Sequence, residues 1–317
     1  MLKQLFVFIC LTNSVPLCAQ QSPEETPLQK AKRVASKTIQ EIENTPKAPS
    51  ILDARDAAEQ RLDEVPFAIY QHQQNYLLPY TYAKNPNADG QVDLNPNNID
   101  NQEAKFQISI KIPIYSLGDT NTGWYFGFTA KSFWQVYNSE VSKPFRETNY
   151  EPELMYRWQA DYSFLQYRFN AVEISFNHQS NGQSGLNSRS WNRVMLTGLF
   201  SDVDSAYYVR TWYRLPEDTK ESIQDPSGDD NPDILDYIGR IELGYAWQFT
   251  PKHKLLAKLR NNLKSSNNRG SLELNYTYNF SDRYDVLLQY FNGYGDSLID
   301  YNRHQQRVGL GIQLRFL

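Results

Sequence analysis

Asn170-Ala-Val-Glu-Ile-Ser-Phe-Asn-His-Gln-Ser180 alternates apolar and polar side chains: Val172, Ile174 and Phe176 against Glu173, Ser175 and Asn177. Side chains two apart share one face of a strand. His178 and Ser180 therefore continue the apolar row. The run from Ser190 to Ser201 repeats the arrangement, with Asn192 in phase with Val194, Leu196 and Phe200. A base, a hydroxyl and an amide thus emerge on the apolar face of two neighbouring strands. In a water-soluble protein that face is buried, a poor place for a nucleophile. In a membrane barrel it faces lipid.

The same two-residue period recurs on both sides of this stretch. Phe106, Ile108, Ile110, Ile112 and Ile114 alternate with Gln107, Ser109 and Lys111. Leu154, Tyr156 and Trp158 alternate with Glu153 and Arg157, and Ile241, Leu243, Tyr245, Trp247 and Phe249 with Glu242 and Gln248. Leu272, Leu274, Tyr276 and Tyr278 alternate with Glu273 and Asn275, and the chain closes on Val308, Leu310, Ile312 and Leu314. With the less regular runs the pattern predicts about twelve strands near the ~10 residues that cross a bilayer at a tilt. The fold class expected is all-β, a transmembrane antiparallel barrel. Aromatics make up 14% of the chain, including 22 Tyr and 6 Trp, and they crowd the strand ends as interfacial girdles do. A soluble sandwich leaves so many aromatics on one face unexplained.

Composition agrees with that reading. Mean hydropathy is −0.65, because apolar-out and polar-in residues cancel. Beyond the first residues no apolar run approaches the ~20 of a membrane helix. A net charge of −4 offers no electrostatic case for nucleic acid. Residues 1–19 combine Lys3, an apolar Leu5–Leu11 and small residues near Ala19, which reads as a cleaved signal peptide. Both cysteines, Cys10 and Cys18, lie there, so the mature chain has no thiol chemistry. Residues 20–65 are charged and broken by prolines. Two short helices are expected, around Ala31–Ile42 and Ala54–Leu62, in a flexible extension outside a barrel of residues 66–317. The stretch Pro216–Asp236 is acidic, either a solvated surface or a set of oxygen ligands for a divalent cation.

Serine hydrolysis needs a hydroxyl, a base within reach, a group orienting the base, and donors for the oxyanion. Ser180 and His178 stand two apart on one face, and Asn192 enters the next strand where it can accept from the second imidazole nitrogen. A neutral amide suits a lipid boundary, where an unpaired charge is costly. His-x-Ser alone is a weak signal among four histidines; the shared outward phase with Asn192 strengthens it. A pore-forming or purely structural barrel, with these residues at its rim, is the competing reading, and a soluble β-sheet binding protein is a third.

The stretch Asn177–Arg193, with its His-x-Ser-Asn-Gly core and Ser-Arg-Ser-Trp-Asn-Arg, resembles the outer membrane phospholipase A family. Further blocks match in order: PFRETNYEP at 144–152, DDNPDI at 229–234 and GYGDSLIDYN at 293–302. The resemblance covers the chain from about Phe67 onward. It implies a twelve-stranded outer-membrane barrel that hydrolyses acyl esters of phospholipids and lysophospholipids, requires calcium, and acts as a homodimer. It implies Ser180 as nucleophile, His178 as base, Asn192 as orienting amide and Gly182 as oxyanion donor through its N–H. Ca2+ would be held by Ser188, the Gln183 carbonyl and, across the dimer, Ser142, while Asp230 would serve a calcium site involving the acidic loop. Two departures stand out. Gly185 occupies a position where the family often has an acidic residue of a second calcium site, and Phe128-Thr129-Ala130 lacks the glutamine of the family's dimer face.

Overall fold

The structure, a computed structural model, describes residues 26–44, 50–63, 69–89, 94–117, 120–164, 166–222, 225 and 227–315. The segment 1–19 read as a signal peptide lies outside the described residues. After the two-residue β1 (Tyr70–Gln71) come β2 (Asn75–Lys84), β3 (Gln102–Ser116), β4 (Gly123–Trp134), β5 (Phe145–Phe164), β6 (Tyr167–Ser180) and β7 (Ser190–Ser201). The second half holds β8 (Ser205–Arg214), β9 (Ile241–Thr250), β10 (His253–Asn261), β11 (Gly270–Asn279), β12 (Tyr284–Gly293) and β13 (Gln305–Leu314). Each strand from β2 onward pairs antiparallel with its neighbours in sequence, and β13 returns to pair with β2. Closure is complete: β2 to β13 form a twelve-stranded barrel, with β1 pairing onto β3.

Alternation decides which face is which. Ile174 is 51% and Phe176 47% exposed, while Ser175 and Asn177 between them are buried. Leu154, Trp158, Leu196, Leu288 and Leu310 are likewise outward and exposed. The interior is charged. Arg146 bonds Glu103 at 3.0 Å and Asp300 at 2.8 Å, Arg307 bonds Glu103 and Asp296 at 2.7 Å each, and Lys105 bonds Asp296 at 2.9 Å. Buried charges survive only when paired and hydrogen-bonded, and this network pairs them. Apolar outside and polar inside inverts a soluble protein; only surrounding hydrocarbon makes it stable.

Connections alternate between short turns, such as 202–204 and 251–252, and long loops, such as 181–189, 215–240 and 294–304. The 294–304 loop folds into the lumen at the long-loop end, with Asp296, Leu298, Ile299 and Asp300 all buried. There Leu298 and Tyr301 pack with Trp191, Met195, Trp212 and the short helix α3 (Ile234–Tyr237) in one apolar cluster; the two helices before the barrel are α1 and α2.

α1 (Pro27–Asn44) belongs to a compact unit of its own. Thr26 and Gln29 start it with a capping box: Gln29 Oε1 accepts from the Thr26 N–H at 3.0 Å and Thr26 Oγ1 from the Gln29 N–H at 3.3 Å. α2 (Ile51–Asp63) is part of the barrel unit. This corrects the expectation that everything before Pro66 lies outside the barrel. Asp53 pairs with Arg168 at 2.9 Å, Asp56 with Arg157 at 3.0 Å and Glu59 with Lys111 at 2.8 Å. Burial alone would raise the Glu59 pKa, but Lys111 and Arg55 hold it down at about 2. The helix thus fills the short-turn end of the lumen, where the Ile51 N–H donates to the Asp202 carbonyl at 3.2 Å. A cavity of about 470 Å³ remains inside, lined by charged groups including Arg157, Glu173, Lys258 and Glu273.

Candidate active site

β6 and β7 set the site by register. His178 stands opposite Asn192 and Ser180 opposite Ser190. Directly paired side chains on one face start about 5 Å apart, so imidazole and amide meet: His178 Nδ1 is 2.8 Å from Asn192 Oδ1. His178 and Ser180 continue the outward row of Ile174 and Phe176, and Asn192 continues that of Val194 and Leu196. Beneath them, the inward side chains of the same strands lock the backbone. Arg193 Nη2 donates to Glu151 Oε1 at 2.8 Å and to Asn177 Oδ1 at 2.5 Å. Its guanidinium lies 4.0 Å from the centre of the Trp191 ring, and Trp191 Nε1 donates to Gln179 Oε1 at 2.8 Å.

Among the described residues no hydrogen bond joins Ser180 Oγ to His178. The two share a face and a spacing of two residues; the nucleophile–base contact of a resting hydrolase often closes only when substrate enters. Tyr150 pairs with Ser180 from the β5 side. Ahead of Ser180, Asn181 pins the loop that carries the remaining candidates. Its N–H donates to the Arg189 carbonyl at 3.0 Å, its Nδ2 to the Asn187 carbonyl at 2.8 Å, and its Oδ1 accepts from the Arg189 N–H at 2.9 Å. Within this pinned loop Gly182 has φ +65° and Gly185 φ +62°, the left-handed region glycine enters without cost. Among the described residues the Gly182 N–H donates to no group.

Ser188 Oγ donates to Asp230 Oδ2 at 2.6 Å and Ser190 Oγ to the same oxygen at 3.4 Å. The Lys220 ammonium pairs with the other oxygen of Asp230. Gln183 lies in the pinned loop with Ser188. Ser142 is exposed on the β4–β5 connection, and no contact among the described residues joins it to Ser188 or Asp230. Hydroxyl, carboxylate and carbonyl oxygens are the hard donors calcium takes, so the residues fit that ion. One chain supplies fewer than its usual complement of about six to eight. Among the described residues no three His, Cys, Asp or Glu side chains form a metal-holding group.

Glu217, in the acidic loop, was not singled out by sequence reasoning. Its Oε1 accepts from Asn192 Nδ2 at 3.2 Å. Burial raises its pKa, against the Asn192 hydrogen bond and Arg214, with Asp229 and Asp230 adding to the rise. Asn181 escaped notice too, although its place inside the His-x-Ser-Asn-Gly core was a usable signal.

The phospholipase A1 family matches residues 52–314. The phospholipase A1 of Klebsiella pneumoniae is 35% identical over 255 residues, covering 80% of this chain and 84% of its own. That of Escherichia coli K12 is 34% identical over 282 residues, covering 88% and 92%. Among solved structures, outer membrane phospholipase A from Escherichia coli superposes with a TM-score of 0.71 at 35% identity, covering 79% of this chain and 93% of that one. An outer membrane phospholipase dimer of Salmonella typhi with bound calcium gives a TM-score of 0.72 at 36% identity, covering 81% and 96%.

Proposed function

This chain belongs to the phospholipase A1 family, and from that premise we propose that it is a calcium-dependent serine hydrolase of the outer membrane with A1 and A2 activity. The observation that carries the reading is the 2.8 Å contact of His178 with Asn192 on the lipid-facing surface, with Ser180 two residues along the same face. Lipid esters reach that surface laterally from the outer leaflet, with no passage through the lumen.

Asn192 Oδ1 accepts the Nδ1 proton of His178, which leaves the Nε2 lone pair as the base. Ser180 Oγ attacks the ester carbonyl while its proton passes to His178 Nε2. The carbonyl oxygen takes up the negative charge and the Gly182 N–H donates to it. The C–O bond to glycerol then breaks, and the departing lysophospholipid oxygen takes the proton back from His178. Water, deprotonated by the same Nε2, attacks the acyl-Ser180 ester and releases a fatty acid and the free serine. Ser188 and the Gln183 carbonyl, with Ser142 of a second copy, would hold calcium, and Asp230 would serve a calcium site involving the acidic loop; the bound ion would supply positive charge that favours the oxyanion. A homodimer completes that ligand set and builds the acyl-chain groove.

The lumen argues against the pore reading. α2 occupies one end and the 294–304 loop the other, and the charges between them are largely paired. The proposal is tested by phospholipid hydrolysis in detergent micelles, with calcium against chelator. Release of fatty acid only with calcium is expected; equal release in chelator would overturn the calcium dependence.

A further inference from the structure

Asn192 has two neighbours that a flipped amide could not serve. His178 Nδ1 lies at its oxygen and the Glu217 carboxylate at its nitrogen. An ionised carboxylate only accepts, so Asn192 must present Nδ2 to Glu217 and Oδ1 to His178. The proton of the neutral imidazole is then confined to Nδ1 and the lone pair to Nε2. Turning the amide over would set a carbonyl against a carboxylate and put the ring proton on Nε2, where it blocks acceptance from serine.

Glu217 is held for this task by the backbone on either side. The Leu215 N–H donates to the Asn192 carbonyl at 2.8 Å, and the Asp218 carbonyl accepts from the Asp229 N–H at 2.7 Å. The other charged groups around it are engaged elsewhere: Arg214 with Asp229 at 2.5 Å, and Asp230 with Lys220. The carboxylate also sits off the strands, in the part-exposed loop, where water reduces the cost of its charge.

We infer that Glu217 is a positioning residue of the reaction: through the Asn192 amide it fixes the tautomer of His178 and places a negative charge one hydrogen bond removed from the imidazolium that forms as Ser180 reacts. This rests on the reading of Ser180, His178 and Asn192 above. Linked hydrogen bonds polarise one another, so the charge strengthens the His178–Asn192 bond when it matters most. An otherwise neutral triad thereby acquires a carboxylate without exposing one to lipid.

The test compares full-length Glu217→Ala and Glu217→Gln with wild type and Ser180→Ala, using a thioester phospholipid in micelles with calcium across pH 5–9. Glu217→Ala should lower kcat by about 3- to 10-fold with KM within about twofold, the range of a lost orienting hydrogen bond. Glu217→Gln keeps an acceptor and should recover most of that kcat. It removes the charge that favours the imidazolium. The acid limb of kcat/KM should therefore move to lower pH by roughly half a unit to one unit. Heat-modifiable migration on gels verifies that each variant folds. Wild-type kcat in Glu217→Ala, or an unmoved acid limb in Glu217→Gln, would overturn the inference while leaving the triad intact. Full activity in Ser180→Ala would remove the triad itself, and the inference with it.

Discussion

Asn192→Ala removes the oxygen that lies 2.8 Å from His178 Nδ1 and leaves both the imidazole and Glu217 without that partner. In the resting enzyme the bond joins neutral groups and contributes about 1 kcal/mol net. As the serine proton arrives the ring becomes cationic, and a bond to a charged group is worth about 1.5–3 kcal/mol. Only an interaction that strengthens in the transition state affects the chemical step. The difference, roughly 0.5–2 kcal/mol, corresponds at 1.36 kcal/mol per decade to a fall in kcat of roughly 2- to 30-fold. KM should change little, because Asn192 stands behind the base and away from the ester. Stability should fall by less than about 1 kcal/mol, since the site is at the surface and the Arg193–Glu151–Asn177 contacts beneath it remain. The assay is steady-state hydrolysis of a thioester phospholipid in micelles at saturating calcium, with folding checked by heat modifiability. A kcat within about twofold of wild type would refute the reasoning, and so would a change confined to KM.

Further outcomes follow from other contacts. Glu59 has its pKa depressed to about 2 from an ordinary value of 4.5, so its contribution to α2 docking is complete above pH 4.5 and fades as pH falls toward 2. Hydrogen exchange in α2 should accelerate over that window in wild type, and Glu59→Gln should show fast exchange already at pH 7; slow exchange in the variant would count against the docking role. Lys220→Ala frees Asp230 from its ammonium partner, so half-maximal activation should need about fivefold less calcium, one partly exposed ion pair being worth up to ~1 kcal/mol. An unchanged or higher requirement would show that Asp230 does not serve the ion. Ala130 faces outward between Ile108 and Tyr150, in the row that ends on Ser180. Ala130→Gln adds an amide on that lipid-facing row, where an interchain hydrogen bond contributes roughly 0.6–2 kcal/mol. The cross-linked dimer fraction in detergent should rise; no change would place the dimer contact elsewhere.

Much of the barrel was legible because its rule is local. Two-residue alternation assigns each side chain to lipid or lumen, and β6 and β7 emerge with the phase read from Val172–Ser180 and Asn192–Phe200. The same phase put His178, Ser180 and Asn192 on one surface, and the register made the last contact. α2 was misplaced for an equally physical reason. Its surface is polar, and what docks it are pairs such as Asp56–Arg157 and Glu59–Lys111, formed with strands far along the chain. No periodicity marks a helix whose partners are charges inside a barrel. Glu217 was hidden in an acidic loop, where most carboxylates meet only water; its role depends on the Leu215–Asn192 backbone bond, which composition does not encode.

The account stands on Ser180 being an activated nucleophile open to the hydrocarbon side. An alkyl phosphonate ester that transfers phosphorus to activated serines, delivered in detergent and followed by peptide mass spectrometry, tests this directly. The account predicts one adduct, on Ser180, formed in step with loss of hydrolysis and absent from Ser180→Ala and slowed in His178→Ala. Labelling of another residue while activity is lost, or hydrolysis by folded Ser180→Ala, would contradict it.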